Sequence, residues 1–364
     1  MKTDTLNLQG LINQALYRTQ EATLGVLNIR HNGLRRHLRE QMSNELGHEN
    51  CFLADPVLEQ TFGWKNGTDT FADLVKQGLL SKQLLDVLAK NPSENYRFTE
   101  DMRPYTHQVQ AWKHLLAKQP KSAIVTSGTG SGKTECFMIP ILEDLIQKHQ
   151  QENGVLIGVQ ALFLYPLNAL INSQKERLDA WTQSFGNEIR YCLYNGKTPE
   201  FAGRNDSDKP NEIQSRDRLR QEPPPILMTN ATMLEYMLVR QTDAPILEIS
   251  KKNKSLRWIV LDEAHSYIGS QAAEIALLLR RVVHAFGKSP QDIRFVATSA
   301  TIASKEAEAQ LQNYLAELAG VSAEQVLVVT GSRDFEYFEL GQEQKSLQEI
   351  KEISDESVRF KKKK

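Results

Sequence analysis

The spacing of apolar residues changes character along the chain. In residues 1–95 the apolar positions recur at helical intervals. Leu6, Leu8, Leu11, Ile12 and Leu16 mark one amphipathic stretch, and Phe71, Leu74, Val75, Leu79, Leu84, Leu85 and Leu88 mark another, interrupted near Gly78. The segment Asn91-Pro92-Ser93-Glu94-Asn95 has linker chemistry and predicts a boundary there. A helical N-terminal accessory domain is therefore expected over 1–95.

Beyond it, short β-rich runs alternate with longer amphipathic ones. Strands are predicted at 122–127, 159–165, 188–194, 226–229, 257–262, 293–298 and 325–330. Helices are predicted at 106–118, 132–150, 168–183, 231–240, 270–286 and 304–319. This alternation implies an α/β domain over 96–332, a parallel sheet between layers of helices. Ile275, Leu278, Leu279, Val282 and Phe286 form a core-facing stripe on one of those helices. Residues 333–364, ending in four lysines from Lys361, read as a linker or tail.

Composition narrows the field a little. With 364 residues, 40% hydrophobic, 24% charged and a net charge of -1, the chain has the make-up of a soluble globular protein, and any nucleic-acid surface has to be local. Cys51, Cys136 and Cys192 stand far apart without a Cys-x-x-Cys pair, which excludes a zinc ribbon of that type and disfavours a disulfide framework. No leader-like N-terminus and no bilayer-length apolar run occur, so a cytoplasmic protein without membrane contact is expected.

The chemistry begins after the strand at 122–127. Ser127-Gly128-Thr129-Gly130-Ser131-Gly132-Lys133-Thr134 is a glycine-rich loop opening a helix. Its glycines let backbone N–H groups turn inward around phosphate oxygens, and the positive helix end faces them. Lys133 is placed to reach the β/γ phosphates and the Thr134 hydroxyl to hold Mg²⁺. Ser127 stands where the usual pattern has glycine, a small residue still compatible with the turn. About 130 residues later, Arg257-Trp258-Ile259-Val260-Leu261 reads as a strand buried on both faces and ends in Asp262-Glu263-Ala264-His265. Carboxylates at that end lie in the crevice where such sheets bind ligands. Asp262 then serves Mg²⁺, Glu263 orients the attacking water, and His265 links ATP state to the rest of the molecule.

Gly128 to Thr134, Asp262-Glu263-Ala264-His265 and Ser299-Ala300-Thr301 resemble motifs I, II and III of the superfamily-2 DEAD/DEAH-box helicases. Arg103-Pro104-Tyr105-Thr106-His107-Gln108 resembles the Q motif, Tyr165-Pro166-Leu167-Asn168-Ala169-Leu170 motif Ia, Gly196-Lys197-Thr198-Pro199 the GxTP-like element, and Thr229-Asn230-Ala231-Thr232-Met233-Leu234 motif Ib. The order is that of the family. The stretch Asp262 to Gly269, with Leu279-Arg280-Arg281, is most like Lhr- and MrfA-type bacterial DNA helicases and the helicases of DISARM and Druantia phage-defence systems. The block from Phe52 to Trp64 resembles their helical lead-in.

The resemblance implies a RecA-like P-loop NTPase domain that hydrolyses ATP with Mg²⁺. Tyr105 and Gln108 join the loop residues in binding ATP, Gln108 reading the adenine edge. Ser299 and Thr301 couple hydrolysis to movement. Pro166, Asn168, Lys197, Thr198, Thr229 and Thr232 grip a nucleic-acid backbone, DNA above all, without reading bases. Read without the family, Asn168 is a helix cap and Thr229 a strand end. The basic run Arg30 to Arg39 reads as a solvated helix face or, less favoured, a duplex or partner contact. Residues 333–364 are expected to lead toward a second RecA-like domain, whose arginine fingers complete the ATP site, and defence-system subunits are expected as partners; the isolated chain is expected to turn over slowly. A nucleotide-dependent binding module without unwinding, and an RNA helicase, are the alternatives.

Overall fold

The computed structural model describes residues 8–42, 62–128, 130–166, 168–201, 209–299 and 305–334. The chain divides into two compact units, Met1–Thr61 and Phe62–Lys364.

In the first unit, helix α1 (Leu8–Val26) is followed by α2 (Asn32–Gln41). His31 Nδ1 accepts from Leu34 N at 3.2 Å and caps α2. Arg35 and Arg39 of α2 both pair with Glu21 of α1. Two of the four arginines in the basic run are thus engaged inside this unit.

The second unit opens with α3 (Phe71–Lys76) and α4 (Lys82–Ala89), separated at Gly78, whose φ of +74° suits a residue without a side chain. There follow α5 (Thr106–Leu115), β1 (Ser122–Thr126), α6 (Lys133–Glu152), β2 (Ala161–Leu164), α7 (Asn168–Thr182), β3 (Tyr191–Tyr194), β4 (Glu212–Ile213) and α8 (Arg216–Gln221). Then come β5 (Ile226–Thr229), α9 (Ala231–Val239), α10 (Ala244–Lys252), β6 (Trp258–Leu261), α11 (Ser270–Ala285), β7 (Arg294–Ser299), α12 (Lys305–Ala319) and β8 (Val326–Thr330). The strands form one sheet in the order β4-β3-β5-β2-β6-β7-β1-β8, every pairing parallel.

Period-two alternation feeds two cores. Ala123, Val125, Ala161, Phe163, Trp258 and Val260 face one layer, with α3 to α7 packed over them. Ile124, Leu162, Leu164, Ile259, Leu261 and Phe295 face the other, under α8 to α12. Burial on both faces is why these strands read as unbroken apolar runs. Because every strand is parallel, all their C-terminal ends emerge at one edge.

The boundary expected at residues 95/96 falls inside this unit. Phe71, Leu74, Leu84, Leu85 and Leu88 belong to the same core as the sheet. Glu143 of α6, 1% exposed, accepts from the Ser81 backbone N–H at 2.9 Å and from its hydroxyl at 2.8 Å. Asn91 donates to Ala180 O and Trp181 Nε1 to Tyr96 O, tying the expected linker to α7. Residues 62–67 extend this: Lys65 N donates to Ser332 O, and the Arg333 guanidinium lies 3.6 Å over the Trp64 ring. A side chain on Gly331 would meet Trp64 at 2.6 Å, so that approach needs glycine.

Strands β4 and helices α8 and α10 carry no expectation in the sequence. β4 is two residues long, α8 holds a single buried apolar residue, Leu219, and α10 spans under three turns. Cys136 and Cys192 are both buried, and Cys51 lies outside the described residues. Among the described residues no helix is long and apolar enough to cross a membrane. The tail from Lys361 and the block from Phe52 to Thr61 also lie outside them.

Candidate nucleotide and nucleic-acid edge

Strand β1 ends at Thr126, and the loop that follows turns through Gly130 (φ +70°) and Gly132 (φ +72°) before α6 begins at Lys133. Left-handed glycines point successive N–H groups to one side, the geometry of an anion nest. The hydroxyls of Ser127 and Ser131 lie 2.5 Å apart, so serine at 127 closes the loop across its mouth. Gly128 borders the same loop, half-buried, and Thr129 lies outside the described residues. Lys133 Nζ reaches Ser299 O at the end of β7, at 3.5 Å. Thr134 follows it in the first turn of α6.

Helix α5 supports the loop from behind. Gln108 is buried; its Oε1 accepts from Tyr105 N at 2.9 Å and its Nε2 donates to Gly132 O at 3.2 Å. The amide expected to read a base is thus braced between the Q-motif turn and the phosphate loop. A cavity of about 420 Å³ opens beside it, lined by Arg103, Pro104, Tyr105, Gln108, Gly130 and Gly132.

His107 was not singled out in the sequence, yet its Nε2 lies 2.8 Å from Ser131 O and must be the donor. Its Nδ1 is buried without a partner, and burial holds the ring below the ordinary histidine range. A second proton on Nδ1 would have nothing to bond. The unfolded chain takes up that proton near pH 6.5 while the folded ring refuses it, so stability is lost as the pH falls below that value. We expect the wild type to lose more stability between pH 7.5 and 5.5 than His107→Gln in paired urea unfolding. His114, also held low by burial, is common to both proteins and cancels. Equal losses would remove His107 from the account.

Asp262 follows β6 and is 7% exposed. The register that pairs Leu261 with Ala297 brings the next residues together. Thr298, also missed in the sequence, donates its hydroxyl to Asp262 Oδ1 at 2.5 Å and accepts from Glu263 N at 2.9 Å. Burial pushes the Asp262 carboxyl above the usual range; the Glu263 charge adds to this and the Thr298 hydroxyl opposes it. Glu263 sits at φ +51°, ψ +46°, a strained conformation for a residue with a side chain, of the kind that clusters at functional sites. Its carboxylate lies 3.3 Å from His265 Nδ1. Ser299 is buried beside Lys133, and Thr301 lies outside the described residues.

The other half of the same edge carries the expected nucleic-acid residues. Pro166 after β2 and exposed Thr232 on α9 meet at a cavity of about 480 Å³, with Asn230, Ser266, Gln271 and Glu274. Asn230, a further residue the sequence reading passed over, caps α9 by accepting from Met233 N at 2.8 Å. Lys197 is exposed on the turn after β3. Two of the expected side chains are engaged within the fold. Thr229 is fully buried and donates its hydroxyl to Tyr194 O at 2.7 Å; Thr198 donates to Leu193 O at 2.7 Å. Both hydroxyls are spent holding strand ends. The Asn168 side chain lies outside what is described, although α7 begins at that residue.

Residues 105–310 match the profile of the DEAD/DEAH box helicases. The chain is similar to Druantia protein DruE of Escherichia coli (26% identical, covering 64% of this chain and 18% of that protein). It is also similar to the ATP-dependent helicase hrq1 of Schizosaccharomyces pombe (28% identical, covering 72% and 22%). It therefore spans about a fifth of the length of these relatives. Among solved structures, the DUF1998 helicase MrfA bound to DNA matches with a TM-score of 0.50 at 23% identity (74% of this chain, 31% of that one). DEAD-box helicase Mss116 bound to ssRNA and UDP-BeF matches at 0.53 and 17% (73% and 46%). The likeness to these two structures is one of fold, a RecA-like helicase sheet. With the profile covering more than half of its residues, the chain belongs to the DEAD/DEAH box helicase family.

Proposed function

We propose that this chain is an ATP-hydrolysing motor element that grips DNA. One observation supports the reading: the residues expected to serve nucleotide and those expected to serve nucleic acid follow different strands at the C-terminal edge of the sheet. The ends of β1, β6 and β7 supply Lys133, Asp262 and Ser299, while the ends of β2, β5 and β3 supply Pro166, Thr232 and Lys197. Nucleotide and strand would lie side by side on one rigid platform.

Residue types at the nucleotide half suit magnesium-ATP. Among the described residues no trio of His, Cys, Asp or Glu converges on a cation, so Thr134 and Asp262 would hold Mg²⁺ together with the nucleotide's own oxygens. Bound there, the ion would neutralise charge on the phosphate oxygens and favour the ionised form of Asp262. Lys133 directs its ammonium at the β/γ phosphates. Glu263 holds the attacking water as its oxygen bonds to the γ-phosphorus and the β–γ bridge breaks, leaving ADP and phosphate.

DNA is favoured over RNA by the DNA-bound MrfA likeness, and the Druantia relative supports a place in phage defence beside partner subunits. RNA is the second reading, favoured by the likeness to RNA-bound Mss116. Fluorescence anisotropy with oligo(dT) and oligo(rU) over a salt series tests both. Lys197→Ala should weaken every oligonucleotide alike and lower the salt slope by about one contact. Unchanged binding by a Lys197→Ala, Thr232→Val double variant would rule out this edge as the strand track; preference for oligo(rU) would select RNA.

A further inference from the structure

Glu135 lines the cavity beside the phosphate loop. Glu135 follows Thr134 directly, so its carboxylate stands beside the phosphate loop, where a second negative charge is electrostatically adverse. Its side chain is 12% exposed, and Oε2 is buried without a hydrogen-bond partner. That oxygen lies 3.0 Å from where a side chain on Gly132 would begin, next to the Gln108 amide. Oε1 faces Arg177 Nη1 of α7 at 3.5 Å, and Arg177 rests over the rings of Tyr96 and Trp181 at 5.9 and 5.8 Å. Both Glu135 and Arg177 line the 420 Å³ cavity, which Phe71 and Phe98 wall on its apolar side. The Gln108 amide meanwhile uses its acceptor on Tyr105 N and one donor on Gly132 O.

A buried, unpartnered acceptor in a ligand cavity is a feature that a ligand donor would explain. We propose that Glu135 reads the nucleoside, its Oε2 accepting a hydrogen bond from an N–H or O–H donor of the bound nucleotide, with Arg177 as the residue that positions it. The inference rests on reading this cavity as the nucleotide site. Two nucleoside groups have the right chemistry, the exocyclic amino group of adenine and the ribose hydroxyls. The triphosphate has none. Arg177 supplies the counter-charge that lets a carboxylate remain beside phosphates, and its two rings fix the guanidinium in place.

Calorimetry on the full chain separates the possibilities, using ADP, purine riboside diphosphate (which lacks the 6-amino group), 2′,3′-dideoxy-ADP and inorganic pyrophosphate. Glu135→Ala should weaken ADP about tenfold or more, and Glu135→Gln, which keeps an acceptor, less. The loss should vanish for the purine riboside if the amino group is the donor, and for the dideoxy nucleotide if the ribose is. Pyrophosphate affinity should not fall. Arg177→Met should reproduce the same pattern across ligands, and Arg177→Lys should partly restore it. A merely structural role would lower affinity for all four ligands alike, and that result, or no change in any, overturns the proposal. If thermal melting shows Glu135→Ala to be unfolded, the Glu135→Gln pattern decides. Failure of the wild type to bind ADP would instead overturn the reading of the cavity itself.

Discussion

Lys133→Ala is expected to lower affinity for ATP and ADP about 10²-fold while leaving the fold intact. The loop N–H groups can surround phosphate oxygens, but they carry only partial charge, and Lys133 is the full positive charge at the start of α6. Its contact in the structure is a neutral carbonyl, Ser299 O, at the outer limit of hydrogen bonding, so little is lost within the protein on its removal. Charge-assisted hydrogen bonds contribute roughly 1.5–3 kcal/mol each, which sets the size of the effect. Alanine is the strongest helix former, so the first turn of α6 is retained. Calorimetry of wild type and variant, with thermal melting as a control, makes the measurement. Equal affinity would mean that this loop is not the phosphate site.

The sheet and the glycine-rich loop were legible in the sequence because each has a local signature. Buried parallel strands are continuous apolar runs, and the phosphate loop needs glycines at fixed offsets; Gly130 and Gly132 do adopt the left-handed geometry that the pattern implies. What was not legible depends on pairs distant in the chain. Thr298 gains its place from the register of β7 against β6, and His107 from a contact with Ser131, twenty-four positions on. Neither pairing leaves a mark on neighbouring residues. The accessory boundary failed for a related reason. The apolar faces of α3 and α4 announce burial but not against what, and the partner is α6, through Glu143 and Ser81. Thr198 and Thr229 show the converse. A hydroxyl at a motif position can serve the strand ends rather than a ligand, and sequence spacing is the same in either case.

The strained turn after β6 leads to the second large effect. Glu263→Gln should leave ATP affinity unchanged and lower turnover about 10²-fold or more. If Glu263 merely braced the turn, the substitution would do little, since glutamine has nearly the same size and the bracing bond, from Glu263 N to the Thr298 hydroxyl, is made by the backbone. The left-handed φ of +51° costs glutamine no less and no more than glutamate, so the strain is also unchanged. Asp262 still serves the cation and Lys133 still serves the phosphates, so ground-state binding is spared. What goes is a charged acceptor held, with His265 at 3.3 Å, where water must be aimed. Its loss removes stabilisation used in the transition state and not before, which appears in kcat and not in affinity. Turnover is measured with single-stranded DNA present, and affinity by calorimetry on the same preparations. Turnover within a few-fold of wild type would take Glu263 off the hydrolytic centre and return this turn to a structural role. Weak binding together with slow turnover would mean instead that the carboxylate helps to hold the nucleotide. The expected result, retained binding with turnover lost, identifies the end of β6 as the place where the water is activated.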